Sequence, residues 1–412
     1  MKLSTQKEKN NSFQFLFIAL SPVGVGLSGG DRIFIELARG LHKKKISVQI
    51  VTWSGGVSMC KRINVTKKEV KFRVLDLGIW EKSNFLLNYT AKIFYGIFWA
   101  FSYDLEKDFP NTESLYLYSA SEFWMDSLPG FILKIRYKKI VWITTWFQTA
   151  PNPLRGFAEG KRESAYRFKA FLYWFSQLPI KPLFSRYADF ICVNNEDERK
   201  RFPKLSKENR IFVFLGAIDL TTVKKWLKKH PKVSKKYEAI YHGRFHAQKG
   251  VGELIDIWKK VVKNIPSAKL VMIGDGPLRF EVEEKIKKNK LSKNVTLKGF
   301  MFDGDEKYKI FAESKVVVHP ALYDSGGMAS AEVMAFGEPC VGFNLKAYES
   351  YYPKGMVKVE INNFDAFAKA VIILLQDRRK YSEVKKDAIA LIENNWTWDD
   401  RVRDFLKLVV KK

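Results

Sequence analysis

Ala239-Ile240-Tyr241-His242-Gly243-Arg244-Phe245-His246-Ala247-Gln248-Lys249-Gly250 runs from a short apolar strand into a basic loop punctuated by glycines. An amphipathic helix is expected from about 252 to 264, and a second strand, Lys269-Leu270-Val271-Met272-Ile273, then ends in Gly274-Asp275-Gly276-Pro277. Strand, glycine loop, helix, strand is the repeating unit of parallel sheets with crossover helices. Arg244 and Lys249 stand five residues apart on that loop, so two cations can converge on one diphosphate. Taken alone, the same pair also reads as ordinary surface cations.

Further along the chain, apolar runs at 295–297, 315–318 and 340–343 alternate with helical patterns at 279–289, 305–312 and 331–336. Between them stands Pro320-Ala321-Leu322-Tyr323-Asp324-Ser325-Gly326-Gly327-Met328-Ala329-Ser330-Ala331-Glu332, which puts two carboxylates eight positions apart across a glycine turn that opens a helix. Backbone N–H groups of Gly326, Gly327 and Met328 can approach a ligand there, and a helix start favours phosphate. Glu332 faces the same crevice as Asp324 only if the helix begins near Gly327. The plain alternatives are a turn or capping residue for Asp324 and a solvated helix residue for Glu332.

Towards the N-terminus the pattern repeats. Phe15-Leu16-Phe17-Ile18-Ala19-Leu20 leads into Ser21-Pro22-Val23-Gly24-Val25-Gly26-Leu27-Ser28-Gly29-Gly30 and a helix carrying Ile33, Ile35, Leu37, Ala38 and Leu41. Lys2, Lys7 and Lys9 before the apolar run give a superficial likeness to a secretory signal, but the order is strand, loop, helix. Strand-like runs recur at 47–52, 114–118, 139–144, 190–193 and 211–214. The fold class is therefore α/β with two doubly wound Rossmann-like domains, at 1–220 and 237–390, joined by a lysine-rich linker at 221–236 and followed by 391–412.

Composition narrows the partners. The 412 residues carry a formal charge of +27, with 41 Lys and Arg against 20 Asp and Glu over 1–236, so most of the excess is N-terminal. Such a field favours anionic partners: nucleic acid, an acidic membrane face or a phosphorylated acceptor. Residues 85–103 are apolar, but Asn88, Thr90, Lys92 and Gly96 interrupt them, which argues against a spanning helix. Residues 161–175 mix four cations with Tyr166, Phe168, Phe171, Tyr173, Trp174 and Phe175, and read either as an interfacial helix or as a domain-packing helix with a solvated basic face. Three well-separated cysteines, Cys60, Cys192 and Cys340, suit a reducing cytoplasmic setting.

The motifs at 242–250 and 320–339, in this order, resemble the large retaining glycosyltransferase family (family 4, group 1) that includes glycogen synthases, sucrose synthases and many mannosyl- and glucosyltransferases. The resemblance is strong from Ile240 to Pro339. It implies the GT-B fold, two Rossmann-like domains facing across a cleft, and transfer of a hexose from a nucleotide-diphosphate sugar, the substrate, without metal or other cofactor. It implies that Arg244 and Lys249, with Gly243, bind the donor diphosphate, that Glu332 bonds the ribose, and that Asp324 contacts sugar hydroxyls beside Gly326, Gly327 and Met328. Gly24, Gly26, Gly29 and Gly30 match the family's N-domain glycine loop. Trp396-Thr397-Trp398-Asp399-Asp400-Arg401 resembles its closing helix, which commonly packs back on the N-domain.

Two departures stand out. The family pattern has Glu where Asp324 stands, and the His that many members carry after the middle N-domain strand is missing from Ile143-Thr144-Thr145-Trp146-Phe147-Gln148, leaving Thr145 or Gln148 for the acceptor side. Asp303-Gly304-Asp305 looks like a D-x-D metal motif but sits where a helix cap is expected. The histidines at 42, 230, 242, 246 and 319 show no paired ligand spacing, so no metal is expected. Val51-Thr52-Trp53-Ser54 offers no acid for a nicotinamide ribose, and no acid/base pair is evident in the N-terminal half for an epimerase or hydrolase. A basic nucleic-acid module would leave the Arg244 and Glu332 motifs without a role, so a lipid-linked acceptor at an anionic membrane face is the expected partner, with a soluble acceptor as the alternative.

Overall fold

The computed structural model describes residues 13–22, 27–63, 65, 69–158 and 166–410. The chain divides into two compact units: Met1–Ala150 with Tyr173–Phe214 and Trp398–Lys412, and Pro151–Leu172 with Leu215–Thr397. Among the described residues each unit is built on one parallel sheet, of seven strands in the first and six in the second.

In the first unit the strand order is β3-β2-β1-β4-β5-β6-β7. β1 (Gln14–Ile18) lies between β2 (Ser47–Trp53) and β4 (Leu115–Ser119), so the order reverses beside it. β5 (Val141–Trp146), β6 (Phe190–Val193) and β7 (Ile211–Val213) extend the sheet on one side, and β3 (Lys71–Leu75) closes the other. β3 was not anticipated because it is a partly exposed edge strand with Lys71 and Arg73 in it, and carries little apolar signal. The helix Gly29–Lys43 packs Ile33, Phe34, Leu37, Ala38 and Leu41 inward. The last helix, Trp398–Val409, joins this unit: Val402 packs against Gly40, and Phe405 meets the rings of Phe15, Tyr118, Phe212 and Phe214.

The second unit has the order β10-β9-β8-β11-β12-β13. β8 (Tyr237–His242) lies between β9 (Leu270–Ile273) and β11 (Ser314–His319), with β10 (Val295–Gly299), β12 (Cys340–Phe343) and β13 (Met356–Val359) outside them. The helix Val251–Asn264 buries Leu254, Ile255, Trp258 and Val261 at helical spacing.

Two boundaries differ from the sequence expectation. Residues 221–236 are not a free linker: Leu220–Lys229 is a helix, and its Val223 and Trp226 enter the second unit's core while Lys224, Lys225, Lys228 and Lys229 stay exposed. Leu220, Val223, Trp226 and Leu227 recur at helical spacing and seat the helix, a stripe that the surrounding lysines obscure in the sequence. Residues 1–220 are not one continuous domain either, since Pro151–Leu172 groups with the second unit. The closing aromatic pair is divided as well, because Trp396 is buried in the second core whereas Trp398 begins the first unit's helix. All three cysteines are free and buried. Among the described residues no helix is long and apolar enough to cross a membrane.

Candidate active site

In doubly wound sheets ligands gather at the carboxyl ends of the strands where the order reverses. In the second unit those strands are β8 and β11, and the loops that leave them are the two motifs singled out in the sequence.

The loop after β8 is shaped by its glycines. Gly250 caps the following helix at φ +64°, and a Cβ there would collide with the Pro320 carbonyl oxygen, so this position requires glycine. Gly243 N donates to Ile273 O at 3.0 Å and Phe245 N to Asp275 O at 2.9 Å, which laces the loop to the Gly274-Asp275-Gly276 turn. Gln248 O accepts from Leu322 N at 2.9 Å and Tyr323 N at 3.1 Å, tying it to the loop after β11.

These bonds bring two expected site residues together. Lys249 Nζ lies 2.8 Å from Asp324 Oδ2, with the side chains 19% and 6% exposed. The same Asp324 oxygen receives His319 Nε2 at 3.1 Å and Tyr348 Oη at 3.0 Å, and Oδ1 receives Ser325 N at 2.8 Å. Burial alone would raise the Asp324 pKa, but the Lys249 charge and the His319 hydrogen bond outweigh it and hold the carboxyl well below its usual range. Burial lowers the His319 pKa, so its Nε2–H donates from a neutral ring. Asp324 is thus an internally satisfied anion, and a sugar hydroxyl would have to displace one of these donors to reach it.

Gly326 and Gly327 also serve packing. A Cβ at Gly326 would strike the Tyr351 ring, while Gly327 sits at φ +62° with Tyr352 Oη donating to its carbonyl at 2.7 Å. His319, Tyr348, Tyr351 and Tyr352 were missed in the sequence. The signal was present, a tyrosine-rich run just past β12, but nothing in one dimension places it under the glycine turn.

The helix Met328–Met334 begins directly after Gly327, the start that a shared crevice of Glu332 and Asp324 requires. Glu332 Oε2 lies 3.3 Å from Lys307 Nζ and 3.5 Å from His242 Nδ1. Burial, together with the Lys307 charge, pushes the His242 pKa down to about 4, so the ring is neutral and its Nδ1–H donates to Ala329 O at 3.2 Å. Residues of one loop therefore hold both ends of the second motif: His242 at Ala329 and Glu332, Lys249 at Asp324. Arg244 on the same loop is exposed and pairs with no described residue.

The D-x-D stretch resolves into two separate contacts. Asp303 pairs with Lys307 at 2.9 Å, and Asp305 accepts from Trp226 Nε1 at 2.6 Å. The cap is Gly304, with Asp305 the first helical residue, so the expected aspartate cap is corrected by one position. Among the described residues no group of three or more His, Cys, Asp or Glu is placed to hold a metal ion.

In the first unit, Gly24 and Gly26 lie outside the described residues. Gly29 and Gly30 form the first helical turn behind a Ser28–Asp31 capping box, and Gly30 leaves room for the Phe147 ring. Thr145 is fully buried and gives its hydroxyl to Ser119 O at 3.0 Å, which removes it from any ligand surface. The Gln148 carbonyl accepts from Tyr173 Oη at 2.9 Å and Gln177 Nε2 at 2.8 Å. The sequence reading missed two buried acids just past β4. Asp126 accepts from Leu20 N at 2.6 Å and Ser21 N at 3.2 Å, fixing the chain that leaves β1. Glu122 accepts from Tyr173 Oη at 2.8 Å, and burial pushes its pKa up to about 7.

Residues 222–390 match the family described as "Glycosyl transferases group 1". A poly(glycerol-phosphate) alpha-glucosyltransferase of Bacillus subtilis (strain 168) is 25% identical over 226 residues, 52% of this chain and 32% of that protein. A GDP-mannose-dependent alpha-(1-6)-phosphatidylinositol dimannoside mannosyltransferase of Mycobacterium tuberculosis is 26% identical over 192 residues, 45% of this chain and 49% of that one. The chain thus spans less than half the length of either relative. Among solved structures, sucrose-phosphate synthase from Thermosynechococcus elongatus superposes with a TM-score of 0.73 at 16% identity over 96% of this chain and 98% of its own. Anabaena Alr3699/HepE in complex with UDP and glucose gives 0.68 at 13% identity over 97% and 100%. Residues 222–390 thus form a glycosyl transferases group 1 domain, in a chain of two parallel-sheet α/β units with the GT-B fold.

Proposed function

We propose that the protein is a retaining glycosyltransferase that moves a hexose from a nucleotide-diphosphate sugar to an acceptor, without a metal ion. The observation that carries this reading is the 242–250 loop, in the stretch that matches the group 1 family, which holds the Asp324 and Glu332 ends of the second motif and leaves Arg244 exposed.

In this reading Arg244 and Lys249 receive the diphosphate, and their charge offsets the negative charge that grows on the leaving group as the glycosidic bond breaks. One Lys249 N–H is committed to Asp324, which leaves two donors for phosphate oxygens. Asp324 positions that ammonium and borders the sugar. Glu332, held by Lys307, takes the ribose hydroxyls. Gly29 and Gly30 belong to the donor side of the first unit and Gln148 to the acceptor side.

The acceptor we assign is a lipid-linked or cell-surface glycan precursor at an anionic membrane face. The +21 charge of residues 1–236 supports this, as does the mannosyltransferase relative, whose name specifies a phosphatidylinositol dimannoside. Residues 161–165 of the aromatic and basic segment lie outside the described ones. The remainder forms the helix Arg167–Gln177, with Phe168 and Phe175 exposed.

Incubation with a panel of nucleotide sugars, read as slow hydrolysis and as protection against thermal unfolding, tests the assignment and names the donor. No protection and no hydrolysis across uridine, guanosine, adenosine and thymidine diphosphate sugars would overturn it.

A further inference from the structure

The helix Phe85–Ser102 is built inside out. Its buried side holds Asn88 and Lys92 beside Ala91, Trp99 and Ala100: Lys92 donates to Pro22 O at 2.7 Å and lies over the Trp53 ring, and Asn88 donates to Trp80 O at 3.0 Å. Gly96 lies under Leu20 and Pro129, where a Cβ would not fit without a shift. These anchors fix the rotation of the helix. The opposite side carries Leu87, Phe94, Phe98 and Phe101 at 44%, 66%, 74% and 62% exposure, within one arc of the helical wheel, with Phe85 and Leu86 at its start.

Lys92 is the helix's single charged residue and it points inward, so the solvent side of 18 residues carries no charge at all. A soluble surface helix has the reverse pattern. The neighbouring helices supply the complement. Trp124–Arg136 packs beside it, and Ile180–Tyr187 packs beside that through a Phe131–Tyr187 ring contact at 5.0 Å. These two present Arg136, Lys181 and Arg186, while Lys134 is paired with Asp189 at 2.7 Å and their one acid, Asp126, is buried. Arg136 also fixes the end of the apolar helix by donating to Ala100 O at 2.6 Å and Tyr103 O at 3.0 Å.

We propose that the outer face of Phe85–Ser102 is a membrane-docking surface that inserts Leu87, Phe94, Phe98 and Phe101 into the interface of an anionic bilayer. The cations of the two adjacent helices meet the headgroups. An apolar stripe flanked by the exposed cations Arg136, Lys181 and Arg186 matches the layered chemistry of that interface, acyl chains beneath phosphates. A second copy of the chain would set these cations against themselves, which disfavours a self-dimer. The proposal rests on the lipid-borne acceptor reading above and assigns it a surface distinct from 161–175.

The test is co-sedimentation of the full chain with phosphatidylglycerol-containing and with pure phosphatidylcholine vesicles, without substrate. The wild type pellets with the anionic vesicles and keeps a salt-resistant fraction. Phe94→Gln/Phe98→Gln/Phe101→Gln lowers partitioning by at least roughly tenfold and abolishes the salt-resistant fraction. Lys181→Glu/Arg186→Glu weakens binding mainly at low salt. Unchanged melting temperature and unchanged nucleotide-sugar protection in both variants show that the fold and the donor site are intact, so loss of vesicle binding is read separately from the enzymatic assignment. Undiminished vesicle binding by the triple variant overturns the proposal, as does a wild-type dimer that the triple variant converts to monomer without any vesicle binding.

Discussion

Lys249 and Asp324 form a close ion pair, 2.8 Å apart, that joins two motifs lying far apart in the chain. The aspartate is buried and the lysine is the nearest counter-charge, so the pair is structural support for the same loop that presents Arg244.

Arg244→Ala and Lys249→Ala should therefore separate. Both should lower turnover by more than about a hundredfold, because each removes a charge-assisted contact to the leaving diphosphate. Only Lys249→Ala should also destabilise, by about 3 kcal/mol, because it leaves the Asp324 charge buried without its cation. Steady-state kinetics with thermal melts decides. Equal melting temperatures for the two variants would contradict the structural half of the argument.

Glu332→Gln should weaken binding of the free nucleoside diphosphate by about tenfold, since a charged acceptor at the ribose becomes neutral. Asp324→Asn should chiefly lower the transfer rate by loosening Lys249. Calorimetry with the free nucleotide distinguishes the two. If Asp324→Asn loses nucleotide affinity while Glu332→Gln retains it, the assigned roles are reversed.

Glu122 makes a pH prediction. Its pKa is raised from 4.5 to about 7 by burial, so the stability it provides is full below about pH 4.5 and is lost as pH rises through 7. Glu122→Gln keeps an acceptor for Tyr173 Oη and removes the buried charge. The variant should match the wild type at pH 4 and exceed it at pH 8 by about 3 kcal/mol, seen as a higher melting temperature. A larger gain at pH 4 than at pH 8 would refute this.

Chelator should leave transfer unchanged, because Asp303 and Asp305 serve Lys307 and Trp226 and Arg244 and Lys249 supply the positive charge. A strict requirement for added magnesium or manganese, beyond a salt effect, would overturn that part of the mechanism.

The sequence by itself determined the class of fold and the two loops that carry the candidate site. Buried parallel strands are continuous apolar runs, and a glycine at φ +64° against a carbonyl oxygen leaves a one-residue signature, so both survive in one dimension. The tertiary structure decided what those loops touch. It alone set Asp324 among Lys249, His319 and Tyr348, seated the helix Leu220–Lys229 on the second unit's core, and buried Glu122 and Asp126 past β4. It also decided which side of 85–102 faces out: the pattern shows an apolar helix, but only its polar anchors at Pro22 and Trp80 fix the rotation that leaves the apolar side in solvent. Local propensity follows from neighbours in sequence, whereas burial, partner and charge state follow from neighbours in space, and those are set by how strands order in the sheet.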